Sequence, residues 1–223
     1  MQSNRTSWRW AAVAFVFVLL IVAGFSLMPG IRACPTSAEP ILAFELVKSP
    51  AELAQLFPEN CRTAALIAQE KALWLDILAF VPAYGSALVL TLLALGAGQA
   101  SRAGLVQAAI AAVLMAMVFD QWENSRLMLL AGNMPGDQVT FDQLVAAPRI
   151  KFALLAMAEA AAGWLLWQGQ GIQRLPGAAV LLGAGMTMIG LMQGSPLIAL
   201  GGSIAFLALA ITAWTVALRG ARN

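Results

Sequence analysis

The sequence predicts an all-α, polytopic membrane protein: a six-helix transmembrane bundle with a small helical extracytoplasmic cap. Three observations carry that prediction. Of 223 residues, 61% are hydrophobic and only 11% are charged, against about 25% charged in a soluble domain. Mean hydropathy is +0.80. Uncharged apolar runs recur at about 20 residues, the length an α-helix needs to cross a bilayer. Composition also excludes chemistry. The chain has no histidine, which removes His-based zinc, haem and di-iron sites and every Ser-His or Cys-His nucleophile pair. It has two cysteines, too few for a four-thiolate metal site, and its methionines scatter without a ligand pattern. No metal and no cofactor is expected. The net charge of +2 comes without a basic patch, so no nucleic-acid partner is expected either.

Six candidate spans follow in order, and residues 1–223 read as one membrane domain. The first is 8–28. Its basic start and Ile31-Arg32-Ala33-Cys34 have some likeness to a lipoprotein leader. The apolar run exceeds the roughly 7–15 residues of a leader core, so an uncleaved anchor is expected. Spans at 72–95, 103–130 and 150–167 come next. Spans at 175–192 and 196–218 form a hairpin, with no charge between Arg174 and Arg219 and a turn signal at Gln193-Gly194-Ser195-Pro196. Gly183, Gly185, Gly190, Gly194, Gly201 and Gly202 would let backbones approach closely there. With the N-terminus inside, the inside segments hold Arg5, Arg9, Arg102, Arg174, Arg219 and Arg222 and no acid. The positive-inside rule therefore places both termini in the cytoplasm.

The segments 29–71 and 131–149 should form the cap. Ser49-Pro50-Ala51-Glu52 is a helix start: Ser49 as N-cap, Pro50 in the first turn, Glu52 reaching back. This helix presents Leu53, Leu56 and Phe57 and stops before Pro58. A second amphipathic stretch, about 59–70, feeds the second span. Thr140-Phe141-Asp142-Gln143 repeats the capping pattern, and the segment is expected to break at Pro148. A crossing of about 20 residues from Arg102 ends near Glu123, so Leu127, Met128, Leu129 and Leu130 should stand above the membrane and anchor the cap. Cys34 and Cys61 both fall outside, where they can pair. The bridge would close a loop of about 28 residues, worth roughly 3 kcal/mol by chain entropy.

Polar groups gather at the outer ends of spans two to four. Asp120, Glu123, Asn124 and Leu127 share one helix face by their i, i+3, i+4, i+7 spacing. Arg126 can reach Glu123 or Trp122. Asp76 lies in the second span, with Phe80 and Tyr84 at i+4 and i+8, and Pro82 removes a backbone donor beside them. The fourth span carries Arg149 and Lys151, and Glu159 lies roughly 12 Å deeper at about 1.5 Å per residue. Ionisable groups in a bilayer cost roughly 2.5–3.5 kcal/mol each and usually face the interior or a cavity. Asp76, Tyr84, Asp120, Asn124, Lys151 and Glu159 are therefore the candidate ligand-binding residues. Glu123, Arg126 and Arg149, near the headgroups, are expected to form structural ion pairs.

The succession Phe44-Glu45-Leu46, Leu75-Asp76 with Pro82-Ala83-Tyr84, Phe119-Asp120 with Glu123-Asn124, and Lys151-Phe152-Ala153-Leu154 resembles a broad group of uncharacterised bacterial membrane proteins. Those proteins look like four-helix bundles with an external FEL segment. The resemblance covers about 43–155. It implies a bacterial cytoplasmic (inner) membrane and carries no activity. The C-terminal hairpin departs from the four-helix pattern.

Three function classes follow. One is an outward-facing pocket lined by carboxylates and a lysine that binds or transports a small cationic or amphipathic ligand. Another is a membrane-embedded enzyme acting on a lipid, with Asp76 and Asp120 as acid and base. The third is a non-catalytic structural or assembly subunit, engaging a protein partner through the cap or the glycine-rich hairpin. The lipid bilayer is a partner in each case.

Overall fold

The computed structural model describes residues 2–34, 40–97, 100–169, 174–193 and 196–219. Among them the fold is all-α, with six helices long and apolar enough to cross a membrane. The helices are α1 (Gln2–Leu27), α2 (Pro40–Glu45), α3 (Pro50–Leu56), α4 (Arg62–Leu75), α5 (Val81–Gly96), α6 (Ala103–Gly132), α7 (Gln138–Trp167), α8 (Arg174–Gln193) and α9 (Leu197–Arg219). A single π-helical turn, Asp76–Phe80, joins α4 to α5 without a break. The side chain of Arg5, together with Gly194, Ser195 and Arg222, lies outside the described residues.

One reading of the segment before the fourth span is corrected. The chain does not break at Pro148, because α7 runs unbroken from Gln138 with Pro148 inside it. A helix between apolar neighbours tolerates a proline, since one lost backbone bond costs less than exposing several polar groups to lipid. Nor is Thr140 the cap. Asp137 takes that place: its Oδ1 accepts from the Thr140 amide at 2.9 Å and its Oδ2 from the Thr140 hydroxyl at 3.0 Å. These bonds hold the Asp137 carboxyl below its ordinary range.

Contacts divide the chain into two compact units. The first comprises 1–17, 83–117 and 151–223. It contains α8 and α9, whose backbones touch. A Cβ on Gly183 would lie 2.5 Å from the Gly201 carbonyl oxygen, and one on Gly201 would lie 2.6 Å from the Thr187 amide nitrogen. Only glycine permits that approach. On α1, Phe15 meets Phe206 edge-on at 4.7 Å, and the Trp214 indole donates to the Ala12 carbonyl at 3.0 Å. Hydroxyls of Thr91 and Thr212 donate back to carbonyls four residues earlier, so neither hydroxyl hydrogen is stranded in the apolar interior.

The second unit comprises 18–82 and 118–150. Its core is the packing expected of the cap. Phe44, Leu53 and Phe57 meet Leu127 and Leu130 of α6 and Phe141 and Leu144 of α7. Full burial of each such side chain is worth about 1.5–3 kcal/mol. Of the LMLL run, Leu127 and Leu130 are buried and Leu129 is exposed, because i and i+3 share a helix face. Ser49 caps α3 by accepting from the Glu52 amide at 3.2 Å, and Glu52 answers by accepting the Lys48 amide at 2.8 Å. Cys34 and Cys61 are joined, with Cα atoms 5.4 Å apart. The bridge runs from the turn after α1 to the N-cap of α4, so α2 and α3 hang inside its loop. Gly30 in that turn has φ +86°, and its would-be Cβ lies 2.9 Å from the Ala64 carbonyl oxygen, which requires glycine.

Candidate functional site

In the second unit the polar residues of α6 meet the π turn. Asn124 donates its amide to the Asp76 carboxylate, and also to Asp120 Oδ1 at 3.4 Å. Asp120, Glu123 and Asn124 are all buried. The shared face read from their spacing is therefore the inward one, with Leu127 completing it. Asp76 is half-buried.

The π turn explains a further contact. In i→i−5 register the Val81 amide donates to the Asp76 carbonyl. The next donor would come from residue 82, but proline has none. Its acceptor in that register, the Ile77 carbonyl, is met by the side-chain amide of Gln121 at 3.1 Å. An unmet carbonyl here would cost about 1–3 kcal/mol. Gln121 thus does the work that Pro82 leaves undone, and sequence reading passed over it. The sequence shows the proline and the amide, but the π turn that brings Gln121 to the Ile77 carbonyl is visible only in the structure. Phe80, at the end of the turn, packs on Phe25 at 5.6 Å.

A cavity opens beside this junction, lined by Phe25, Ile41, Phe44, Glu45, Gln69, Ala72, Leu73, Asp76, Asn124 and Leu127. Its empty volume, counting the part open to solvent, is about 250 Å³. The space that a water molecule's centre can occupy is only about 10 Å³, roughly one water. Gln69 is buried, and its amide nitrogen donates to the Pro40 carbonyl at 3.2 Å. Neither Glu45 nor Gln69 is among the candidate site residues of the sequence, where Glu45 appears only within the Phe44-Glu45-Leu46 segment of the resemblance. Glu45 sits in the short helix α2, whose formation no capping pattern announced.

The other expected site residues belong to the first unit. Tyr84, Lys151 and Glu159 are each buried there. The Lys151 ammonium lies 4.6 Å from the Phe152 ring centroid. Of the residues expected to form surface ion pairs, Glu123 is fully buried and Arg149 is exposed. The Arg126 guanidinium lies over the Trp122 ring, 5.4 Å from its centroid. Of the two neighbours within its reach, Trp122 is the one it takes.

Among the described residues no group of three or more Cys, Asp and Glu side chains gathers in a way that could hold a metal ion. What fold and site define together is an all-α membrane protein with amides and carboxylates clasped between two of its helices. No protein-family model, no curated protein and no solved structure matches the chain.

Proposed function

We propose that the cavity of the second unit binds a small cation, or the ammonium head of a small amphipathic molecule. One observation carries this reading: the lining has two carboxylates, Glu45 and Asp76, two amides, Gln69 and Asn124, and no basic residue. Two acids beside a low-dielectric wall attract a cation more strongly than they would in water. The amide carbonyl oxygens can replace part of its hydration shell. The narrowness of the space favours a head no larger than ammonium, so a short apolar tail is accommodated only in the part of the cavity that opens outward. Tyr84, Lys151 and Glu159 belong to the other unit, and the reading does not draw on them. The same proposal sets the protein in a bacterial cytoplasmic membrane with both termini inside, supported by the arginine distribution and by the resemblance of residues 43–155.

The test is a thermal-shift and calorimetric titration of the purified protein with ammonium, hexylamine, hexanol and hexanoate. Ammonium and hexylamine should stabilise the protein, while hexanol and hexanoate should not. Glu45→Gln and Asp76→Asn should each weaken the amines by about tenfold, the loss of one charge-assisted contact. Equal shifts with hexanol and hexylamine would sink the proposal.

A further inference from the structure

Arg126 is a cation in an unusual position. Its spacing from Glu123 suggests an ion pair, yet among the described residues its only recorded partner is the Trp122 ring, 5.4 Å away. Its Nε is buried and has no hydrogen-bond acceptor. A guanidinium offers five donors in a planar fork, and here most of them are left to partners from outside the described chain.

The surroundings say what such a partner is. Trp122, at i−4, and Leu129, at i+3, are 49% and 47% exposed. Val118, one turn before Trp122, is 58% exposed. Arg126 therefore emerges on the side of α6 that faces the surroundings, among apolar side chains. Residues 103–122 contain one polar side chain before Asp120, and at about 1.5 Å per residue they span roughly 29 Å, close to the hydrocarbon thickness of a bilayer. Trp122 thus falls where tryptophans concentrate, at the headgroup level. Arg126 lies one turn farther, roughly 6 Å. The anionic acceptors at that depth are lipid phosphates.

We propose that Arg126 and Trp122 form a binding site for the phosphate of an anionic phospholipid. The guanidinium receives the phosphate oxygens in its fork. Trp122 holds the guanidinium plane from below and, with Val118, lies against the first acyl carbons. A small rotation about the last side-chain bonds brings the buried Nε hydrogen to an oxygen as well. The site is independent of the cavity beside Asp76 and stands whether or not that cavity binds a cation.

The experiment uses the full chain in nanodiscs and by native mass spectrometry. On the wild type, phosphatidylglycerol should be retained in preference to phosphatidylcholine, and inorganic phosphate should not compete at millimolar concentration. Competition by inorganic phosphate, or equal retention of the two lipids, would overturn the proposal before any variant is made. Arg126→Gln should bind phosphatidylglycerol about tenfold more weakly, the loss of one charge-assisted hydrogen bond. Arg126→Lys should fall between, because it keeps the charge and loses the fork. Arg149→Gln removes the same charge from an exposed site and should change retention little. An equal loss in Arg149→Gln would mean that charge alone attracts the lipid, and the assigned site would fall.

Discussion

The Cys34–Cys61 bridge should hold the helical cap closed, and the size of that effect can be worked out. The sequence separation is 27 residues. In the chain-entropy model, closing such a loop removes about 3 kcal/mol of freedom from the open state. The loop contains α2 and α3, whose contributions to the core are Phe44, Leu53 and Phe57. Opening this segment exposes those side chains but need not unfold the spanning helices. The double variant Cys34→Ala, Cys61→Ala should therefore loosen a local unit rather than the whole protein. The opening constant of residues 40–57 should rise by over a hundredfold, which is what about 3 kcal/mol amounts to. Hydrogen–deuterium exchange in detergent reads this directly. Peptides from 40–57 should exchange over a hundredfold faster, while those from α8 and α9 should be unchanged. Reducing agent on the wild type is the weaker form of the test, because Cys34 is buried and shielded. If the variant's 40–57 peptides exchange at the wild-type rate, loop closure is not what holds the cap. If all helices accelerate together, the cap is not a separable unit.

Two further outcomes follow from the geometry. Gly201→Ala puts a methyl 2.5 Å from the Gly183 carbonyl oxygen, so α8 and α9 must part, at a cost on the order of 1–3 kcal/mol; a thermal melt indistinguishable from wild type would refute the tight contact. Asp137 has its folded-state carboxyl pKa lowered from 3.8, first by the Thr140 amide and then by its hydroxyl. Its contribution to the start of α7 should be complete at neutral pH and lost as pH falls from about 3.8 through the lower folded value. Amide protection at 138–141, compared with Asp137→Ala at each pH, should differ at pH 7 and converge in acid. Convergence already at pH 7 would remove Asp137 as the cap.

The fold was legible where burial in lipid dictates composition. Long apolar runs report themselves, and the six helices stand where those runs are. Helix ends were less legible. Pro148 looks like a stop because its missing donor is visible in the sequence, while the apolar setting that tolerates it is not. Thr140 with Gln143 three residues on fits the capping pattern, while Asp137 is followed there by Thr140, so only the backbone path reveals Asp137 as the cap. At the junction, the face shared by Asp120, Asn124 and Leu127 follows from helical periodicity alone. Gln121 does not, since its role depends on a π turn that no periodicity in Asp76-Ile77-Leu78 announces. Arg126 had two neighbours within reach, and spacing cannot rank an acid at i−3 against an indole at i−4. Glu45 and Gln69 come from segments with no periodic pattern linking them to Asp76, so nothing in the sequence joined them to the cavity.

The glycine contact between α8 and α9 bears on how the chain is made. At Gly183 and Gly201 the two backbones meet directly, and these residues are close in sequence. A pair of that kind assembles as soon as its second arm leaves the ribosome, without waiting for distant segments. It can then enter the bilayer as one object, two helices wide, with Thr187 already donating toward the Ile198 carbonyl at 3.5 Å. A helix paired with its immediate neighbour in this way needs no distant segment to complete the contact.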